Sequence, residues 1–215
     1  MNIELNNIQP LSFEFSKKVD SIWGRNVSLS PPGVYKIIAS SGSGKSTLIS
    51  ILSGLRSDYS GEISYDQKSL LKFKAKDWSS LRSSKISLVY QDLRLFPNLT
   101  ARENILLSQE ITGNETSESN LKIAEFAEAM QVGNQLDKLL MHLSFGQMQR
   151  IAIIRAMMRN YEWIILDEPF SHLDLSNATK AWNLINQEAK RRNAGIIIAC
   201  LDAYDFIQAD KVFHL

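Results

Sequence analysis

Apolar residues in this chain fall into two patterns. Residues 34–39 (Val-Tyr-Lys-Ile-Ile-Ala), 86–90, 163–166 and 196–200 are short apolar runs of buried-strand length. Residues 3–15 alternate irregularly through Ile3, Leu5, Ile8, Leu11, Phe13 and Phe15, which predicts one or two antiparallel strands. Elsewhere the apolar positions repeat at helical spacing. Leu121, Ala124, Phe126, Ala127 and Met130 form one stripe, and Met148, Ile151, Ile153 and Ile154 form another within a helix over 146–159. A helix over 45–53 is stopped by Gly54, and one over about 176–192 leads into the last apolar run. Thr100, with Glu103 three residues later, has the spacing of a capping box after the turn at 96–100. Residues 113–120 (GNETSESN) are polar and predict a surface loop. Strands each followed by a helix imply a parallel α/β sheet. The mainly helical stretch from about 92 to 145 interrupts that alternation and reads as a lobe inserted into one domain spanning 1–215.

The chain has 215 residues, 44% hydrophobic, with 24 Lys+Arg against 23 Asp+Glu. That length suits one domain with a lobe, and the apolar content excludes intrinsic disorder. The charge balance argues against a dedicated nucleic-acid binder, so no nucleic acid is expected as a partner. A lone cysteine, Cys200, excludes a disulfide framework and a multi-cysteine zinc site, and fits a reducing, cytoplasmic setting. None of His142, His172 and His214 stands at metal-ligand spacing. No stretch approaches the roughly 18 apolar residues that span a bilayer, and the N-terminus lacks the basic start and apolar run of a secretion signal. The expectation is a soluble protein whose membrane role, if any, comes through a partner.

Ala39-Ser40-Ser41-Gly42-Ser43-Gly44-Lys45-Ser46-Thr47 lies between a predicted strand and a predicted helix. This is where a phosphate-binding P-loop must lie. Glycines let successive backbone N–H groups point at phosphate oxygens, and the helix N-terminus adds its positive dipole end. Lys45 would neutralise β- and γ-phosphates, and Ser46 would place its hydroxyl on Mg²⁺. The first position is Ala39 where the strict pattern has glycine, which is free of penalty only if φ is negative. A second apolar run, 163–166, ends in Asp167 and Glu168. The strand tip would deliver Asp167 towards Mg²⁺ and Glu168 towards the attacking water.

Leu143-Ser144-Phe145-Gly146-Gln147, upstream of Asp167, completes a set that resembles the ABC-type ATPase subunits over essentially the whole chain. The resemblance implies a P-loop NTPase core with a parallel sheet, a small antiparallel β subdomain and an inserted helical lobe. It implies ATP and Mg²⁺ as cofactors, with residues 40–47 on the phosphates and Ser46, Asp167 and Gln91 at the metal. Ser144, Gly146 and Gln147 match the signature Leu-Ser-Gly-Gly-Gln, which faces the ATP of the opposite subunit; Phe145 departs from it. Gln91 matches the Q-loop glutamine, and Ser171-His172-Leu173-Asp174 resembles the D-loop. An N-terminal aromatic stacks on adenine in this family. Phe13, Phe15 and Trp23 are the candidates, with Phe15 preferred by its distance from Lys45. The family's switch histidine is replaced: Cys200-Leu201-Asp202 stands where Thr-His-Asp is usual, and a leucine cannot donate to a γ-phosphate. Losing such a donor costs about 10²–10³ in rate.

The expected function is therefore an ATP-binding and ATP-hydrolysing subunit that energises a membrane transporter, with hydrolysis weakened by Leu201. The alternative is an ATP-dependent dimerising clamp or regulator that hardly turns over and signals to a membrane partner. Chromosome and DNA-repair relatives carry long insertions or zinc-binding cysteines, which this chain lacks. Expected partners are a second ATPase subunit, identical or not, and a permease on the inner face of the cell membrane. Leu93, Leu95 and Phe96, after Gln91, are candidates for the permease-docking surface. The run 96–105 (FPNLTARENI) resembles the lipoprotein-releasing and macrolide-export branch. Lys68, Lys72, Lys74, Lys76, Arg82 and Lys85 form a locally basic stretch that reads first as a solvated face.

Overall fold

The described residues build fifteen main elements in the order β1 (Ile3–Pro10), β2 (Asn26–Leu29), β3 (Val34–Ile38), α1 (Lys45–Leu52), β4 (Tyr59–Tyr65), β5 (Lys68–Ser69), α2 (Ala75–Ser80), β6 (Ile86–Val89), α3 (Ala101–Glu110), α4 (Ser117–Ala129), α5 (Phe145–Met157), β7 (Trp163–Asp167), α6 (Leu175–Arg191), β8 (Gly195–Cys200) and β9 (Lys211–His214). The computed structural model describes residues 1–11, 21–40, 42–110, 117–201 and 204–215, without the side chains of Ser108, Glu110 and Ser117. Phe13, Phe15, Ser41 and Asp202 therefore lie outside the described residues.

Two sheets form. One is antiparallel, β2-β1-β4-β5, and the other is parallel, β6-β7-β8-β3-β9. β7 and β8 are buried at every position, as expected of unbroken apolar strands covered on both faces. Their side chains alternate between two cores. Ile164, Leu166, Ile196 and Ile198 face the helical side, while Ile165 and Ile197 face α1 and the antiparallel sheet. The register pairs Asp167 with Ala199 and Ile38 with Cys200, so β3, β7 and β8 end at one edge. Ligands of open α/β sheets bind off this carboxyl edge.

The lobe between β6 and α5 follows the predicted caps but not every predicted stripe. Thr100 Oγ1 accepts from the Glu103 N–H at 3.2 Å, and the Glu103 carboxylate accepts from the Thr100 N–H at 2.7 Å, closing the capping box. Buried Asn104 accepts from Phe96 N–H at 2.8 Å and donates to Phe96 O at 3.0 Å, which locks the preceding turn. Residues 117–120 are helical, not loop, since α4 starts at Ser117. The stripe of α4 is Ile123, Phe126 and Ala127, continued by Met130 just past its end, at i, i+3, i+4, i+7; Leu121 is 74% exposed and Ala124 is also exposed.

Glu188 ties α4 to α6. Its carboxylate meets Lys122 at 2.7 Å, Arg191 at 2.8 Å and Arg192 at 2.6 Å. Burial works against its charge, but the Arg191, Lys122 and Arg192 hydrogen bonds outweigh it and hold the carboxyl at about 2, below its ordinary 4.5. A depressed acid stabilises the fold above its unfolded value and loses that contribution as pH falls towards the folded one. Glu188→Gln is expected to lower stability at neutral pH by about 1–2 kcal/mol after solvent screening. In denaturant unfolding the gap to the parent should begin to narrow below pH 4.5; a gap independent of pH would refute the charge account.

Candidate active site

Ala39 and Ser40 leave β3 at the carboxyl edge of the sheet, and Gly42, Ser43 and Gly44 lead into α1. Ala39 does not have a positive φ, so alanine replaces glycine there without left-handed strain. Gly42 and Gly44 have φ of 79° and 98°, which only glycine adopts freely, and Gly44 is the N-cap of α1. The loop thus delivers its amides and the helix N-terminus to one open cavity of about 300 Å³, lined by Gly42, Gly44, Lys45, Ser46, Thr47, Gln91 and Glu168.

Lys45 is buried. Its ammonium donates to Ala39 O at 2.9 Å and Ser40 O at 3.0 Å and lies 3.3 Å from Glu168 Oε1. Ser46 Oγ donates to Asp167 Oδ2 at 2.9 Å. Asp167 Oδ1 is buried and, among the described residues, has no hydrogen-bond partner. Burial pushes the Asp167 carboxyl above its ordinary value; the Ser46 hydrogen bond opposes this, and the neighbouring Glu168 charge adds to it. Gln91 Nε2 reaches Glu168 Oε2 at 3.4 Å. The fold therefore brings Lys45, Ser46, Gln91, Asp167 and Glu168 together from four elements or loops.

Glu168 has φ of 48°, an unusual value for a side chain of its size. Its N–H donates to Ala199 O at 2.9 Å. Its carbonyl accepts from Gln149 Nε2 and from Ser171 Oγ, each at 3.1 Å. Gln149, 1% exposed on α5, also accepts from His172 N–H at 3.1 Å. The sequence reading missed Gln149, although it lies two residues beyond Gln147 on the same helix. Gln149→Leu would remove the acceptor of the His172 N–H and one of the donors to Glu168 O, at a cost of about 1–3 kcal/mol for the two bonds. It should also lower kcat about tenfold with KM little changed, because Glu168 loses its support; an unchanged kcat would deny Gln149 a positioning role.

Ser144 caps α5. Its hydroxyl accepts from Gln147 N–H at 3.3 Å, and Gln147 Oε1 accepts from Ser144 N–H at 2.9 Å. The Ser144 hydroxyl hydrogen remains available as a donor. A Cβ on Gly146 would stand 2.9 Å from His172 O, so the approach of α5 to the 171–174 loop requires glycine. Phe145 is 44% exposed and its ring lies 4.2 Å from that of His172. Leu201 closes β8 at the same sheet edge and is 45% exposed. Trp23 is buried in the core, and Leu93, expected on a docking surface, is buried at 3% exposure. Phe96 is 56% exposed and Leu95 is partly buried.

Residues 24–171 match the ABC transporter family model. The chain belongs to that family. A Staphylococcus haemolyticus protein assigned as the hemin import ATP-binding protein HrtA is 35% identical over 175 residues, 81% of this chain and 79% of its own. The dimeric structure of MJ0796, a bacterial ABC transporter cassette, shares the fold at 24% identity, with TM-score 0.84 over 99% of this chain and 94% of its own. The same cassette in a post-hydrolysis state bound to ADP and Pi is 26% identical, with TM-score 0.81 over the same shares. The chain is thus an ABC-type, ATP-binding ATPase of the kind that energises transporters. Among the described residues, no helix of this ABC ATPase is long and apolar enough to cross a membrane.

Proposed function

We propose that this ABC ATPase works as a single domain with its helical lobe over about 92–145, binds MgATP at residues 40–47 and hydrolyses it slowly to drive a membrane permease. The observation that carries the reading is the Asp167 carboxylate. One oxygen is held by Ser46 and the other is buried without a partner among the described residues, beside the Lys45–Glu168 ion pair. Ser46, Asp167 and Gln91 offer hard oxygen donors of the type Mg²⁺ takes, alongside phosphate oxygens and water. Bound there, Mg²⁺ would neutralise charge developing on the β- and γ-phosphates. Incoming phosphates draw Lys45 from Glu168, which leaves that carboxylate to accept a proton from the attacking water while Gln91 orients the water. Ser144, Gly146 and Gln147 face the ATP of a second subunit, where the hydroxyl, amides and helix dipole suit an anion. Phe15 stacks on adenine. The permease holds the protein at the inner face of the cell membrane, and the relative HrtA makes hemin the first cargo to try.

A second reading, an ATP-dependent clamp with little turnover, is favoured by Leu201 and by Phe145 in the signature loop. One experiment separates the two: ATP binding and steady-state hydrolysis with Mg²⁺, with Leu201→His beside the parent. The expected result is sound binding, slow turnover and at least about a tenfold rise in Leu201→His, short of the 10²–10³ an oriented donor is worth. Brisk parental turnover unchanged by Leu201→His would remove the weakened-switch account.

A further inference from the structure

Between β5 and α2 the chain closes a small loop on itself. Lys68 Nζ pairs with Asp77 Oδ1 at 2.6 Å, and the other Asp77 oxygen accepts from the Lys74 N–H at 2.8 Å. The Phe73 ring lies 5.0 Å from that of Trp78 and 6.1 Å from that of Tyr65, which seats the loop on the antiparallel sheet. Trp78 in turn packs on Gly54, just past α1, where any Cβ would strike the ring. Leu70 and Leu81 go into the core. The side chains left outside are of two kinds. Lys72, Lys74 and Lys76 are exposed, and Leu71, in the same turn as Lys72, is 78% exposed. From 68 to 85 the chain carries six cations, Lys68, Lys72, Lys74, Lys76, Arg82 and Lys85, against one acid, Asp77. Asp77 answers Lys68, and Glu162 answers Lys85. Lys72, Lys74, Lys76 and Arg82 make no ion pair among the described residues.

A solvated face accounts for the lysines but not for the leucine left bare among them. An anionic bilayer surface accounts for both. Leu71 enters the headgroup layer, the lysine stems lie along the apolar boundary, and the ammonium groups meet lipid phosphates. The ion pair and the ring contacts hold the turn in one shape, so little entropy is lost on binding. Nucleic acid fits the same patch less well. Bases stack on free aromatic faces, but here Phe73 is taken by Trp78 and Lys68, and Trp78 by Phe73 and Arg82. A leucine also has no role on a phosphate backbone. We propose that the turn around Leu71, with Lys72, Lys74 and Lys76, binds anionic phospholipid headgroups directly. This goes beyond the transporter reading and does not depend on it, since the contact needs no second protein. It gives the chain a hold on the membrane surface that is separate from any permease.

The test is flotation of the whole chain with vesicles at low salt. One set is phosphatidylcholine alone, the other phosphatidylcholine mixed with phosphatidylglycerol, and ATP binding is measured on every preparation. The first variant combines Lys72→Gln, Lys74→Gln and Lys76→Gln. The second is Leu71→Ser, which keeps the charge. The control combines Lys138→Gln, Lys180→Gln and Lys190→Gln, which removes the same charge from exposed positions elsewhere. The parent is expected to bind the mixed vesicles and not the neutral ones. A lysine near an anionic surface is worth about fivefold, so the first variant should bind about 10²-fold more weakly. Leu71→Ser should lose about tenfold. Screening should limit the loss in the control to about threefold. No binding to the mixed vesicles, equal binding to both sets, or a control loss as large as that of the first variant overturns the proposal. Leu71→Ser binding like the parent overturns it as well, because the patch would then be ionic only. Release from the vesicles by a single-stranded oligonucleotide at equal phosphate concentration would reassign the surface to nucleic acid and overturn it too. If the first variant fails to bind ATP, Leu71→Ser and the lipid selectivity of the parent still decide. Missing ATP binding in the parent would count against the transporter reading; missing vesicle binding would count against the lipid contact alone.

Discussion

Glu168→Gln should abolish turnover while ATP still binds. The replacement is nearly isosteric. Its amide oxygen can accept from Lys45 in place of Oε1, and the backbone bonds to Ala199, Gln149 and Ser171 do not involve the side chain. What is lost is the proton acceptor. Positioned acid–base groups contribute about 10²–10⁴ in rate, so steady-state hydrolysis should fall by at least 10². Binding should hold or tighten, because one negative charge beside the phosphates has gone and Lys45 keeps its carbonyl partners. The two measurements belong together: rate by phosphate release and affinity by nucleotide titration. A drop of less than tenfold would mean that Glu168 is not the proton acceptor. A parallel loss of binding would mean that its role is to hold Lys45 in place.

Lys45→Ala should act on the other quantity. A lysine at the phosphates supplies charge-assisted hydrogen bonds worth about 1.5–3 kcal/mol each. Losing them should weaken ATP binding on the order of 10²-fold or more. The folded protein also loses the cation between Ala39 O, Ser40 O and Glu168. Glu168 is then left buried with Gln91 at 3.4 Å as its side-chain partner and Asp167 beside it. Breaking a buried ion pair by removing one member costs about 3–5 kcal/mol, so the unfolding midpoint should fall. Lys45→Ala, Glu168→Gln combined should recover part of that stability, since the unpaired carboxylate is gone, and recover none of the ATP affinity. Recovery of affinity in the double variant would show that Lys45 acts on Glu168 rather than on phosphate.

The residues of the phosphate loop, the apolar strand ending in Asp167 and Glu168, and the capping box at Thr100 were legible from order and spacing alone. Each is local chemistry: a glycine that must take positive φ, a strand covered on both faces, a side chain that caps the helix it starts. The antiparallel strands β4 and β5, the short β9 and helix α2 were not legible, because half-exposed short elements carry little periodicity. Leu121 and Leu93 misled for the opposite reason. An apolar residue says that burial is favourable, not which side of a helix or loop finds a neighbour, and here Leu121 is exposed while Leu93 is buried.

Tertiary structure alone decided the long-range pairings. Ser46 meets Asp167 across 121 positions, and Gln91 meets Glu168 across 77. These contacts follow from the parallel register of β6, β7, β8 and β3, which no single segment encodes. The same holds for Gln149, an unremarked polar residue until α5 buries it against Glu168, and for Lys68, which meets Asp77 while Lys72, Lys74 and Lys76 stay unpaired among the described residues. Charge in a sequence is a count; whether it is paired depends on what the fold places beside it. Thus the sequence by itself determined the kind of phosphate chemistry this ABC ATPase carries, and the packing of strand ends and helices decided which side chains stand together to perform and control it.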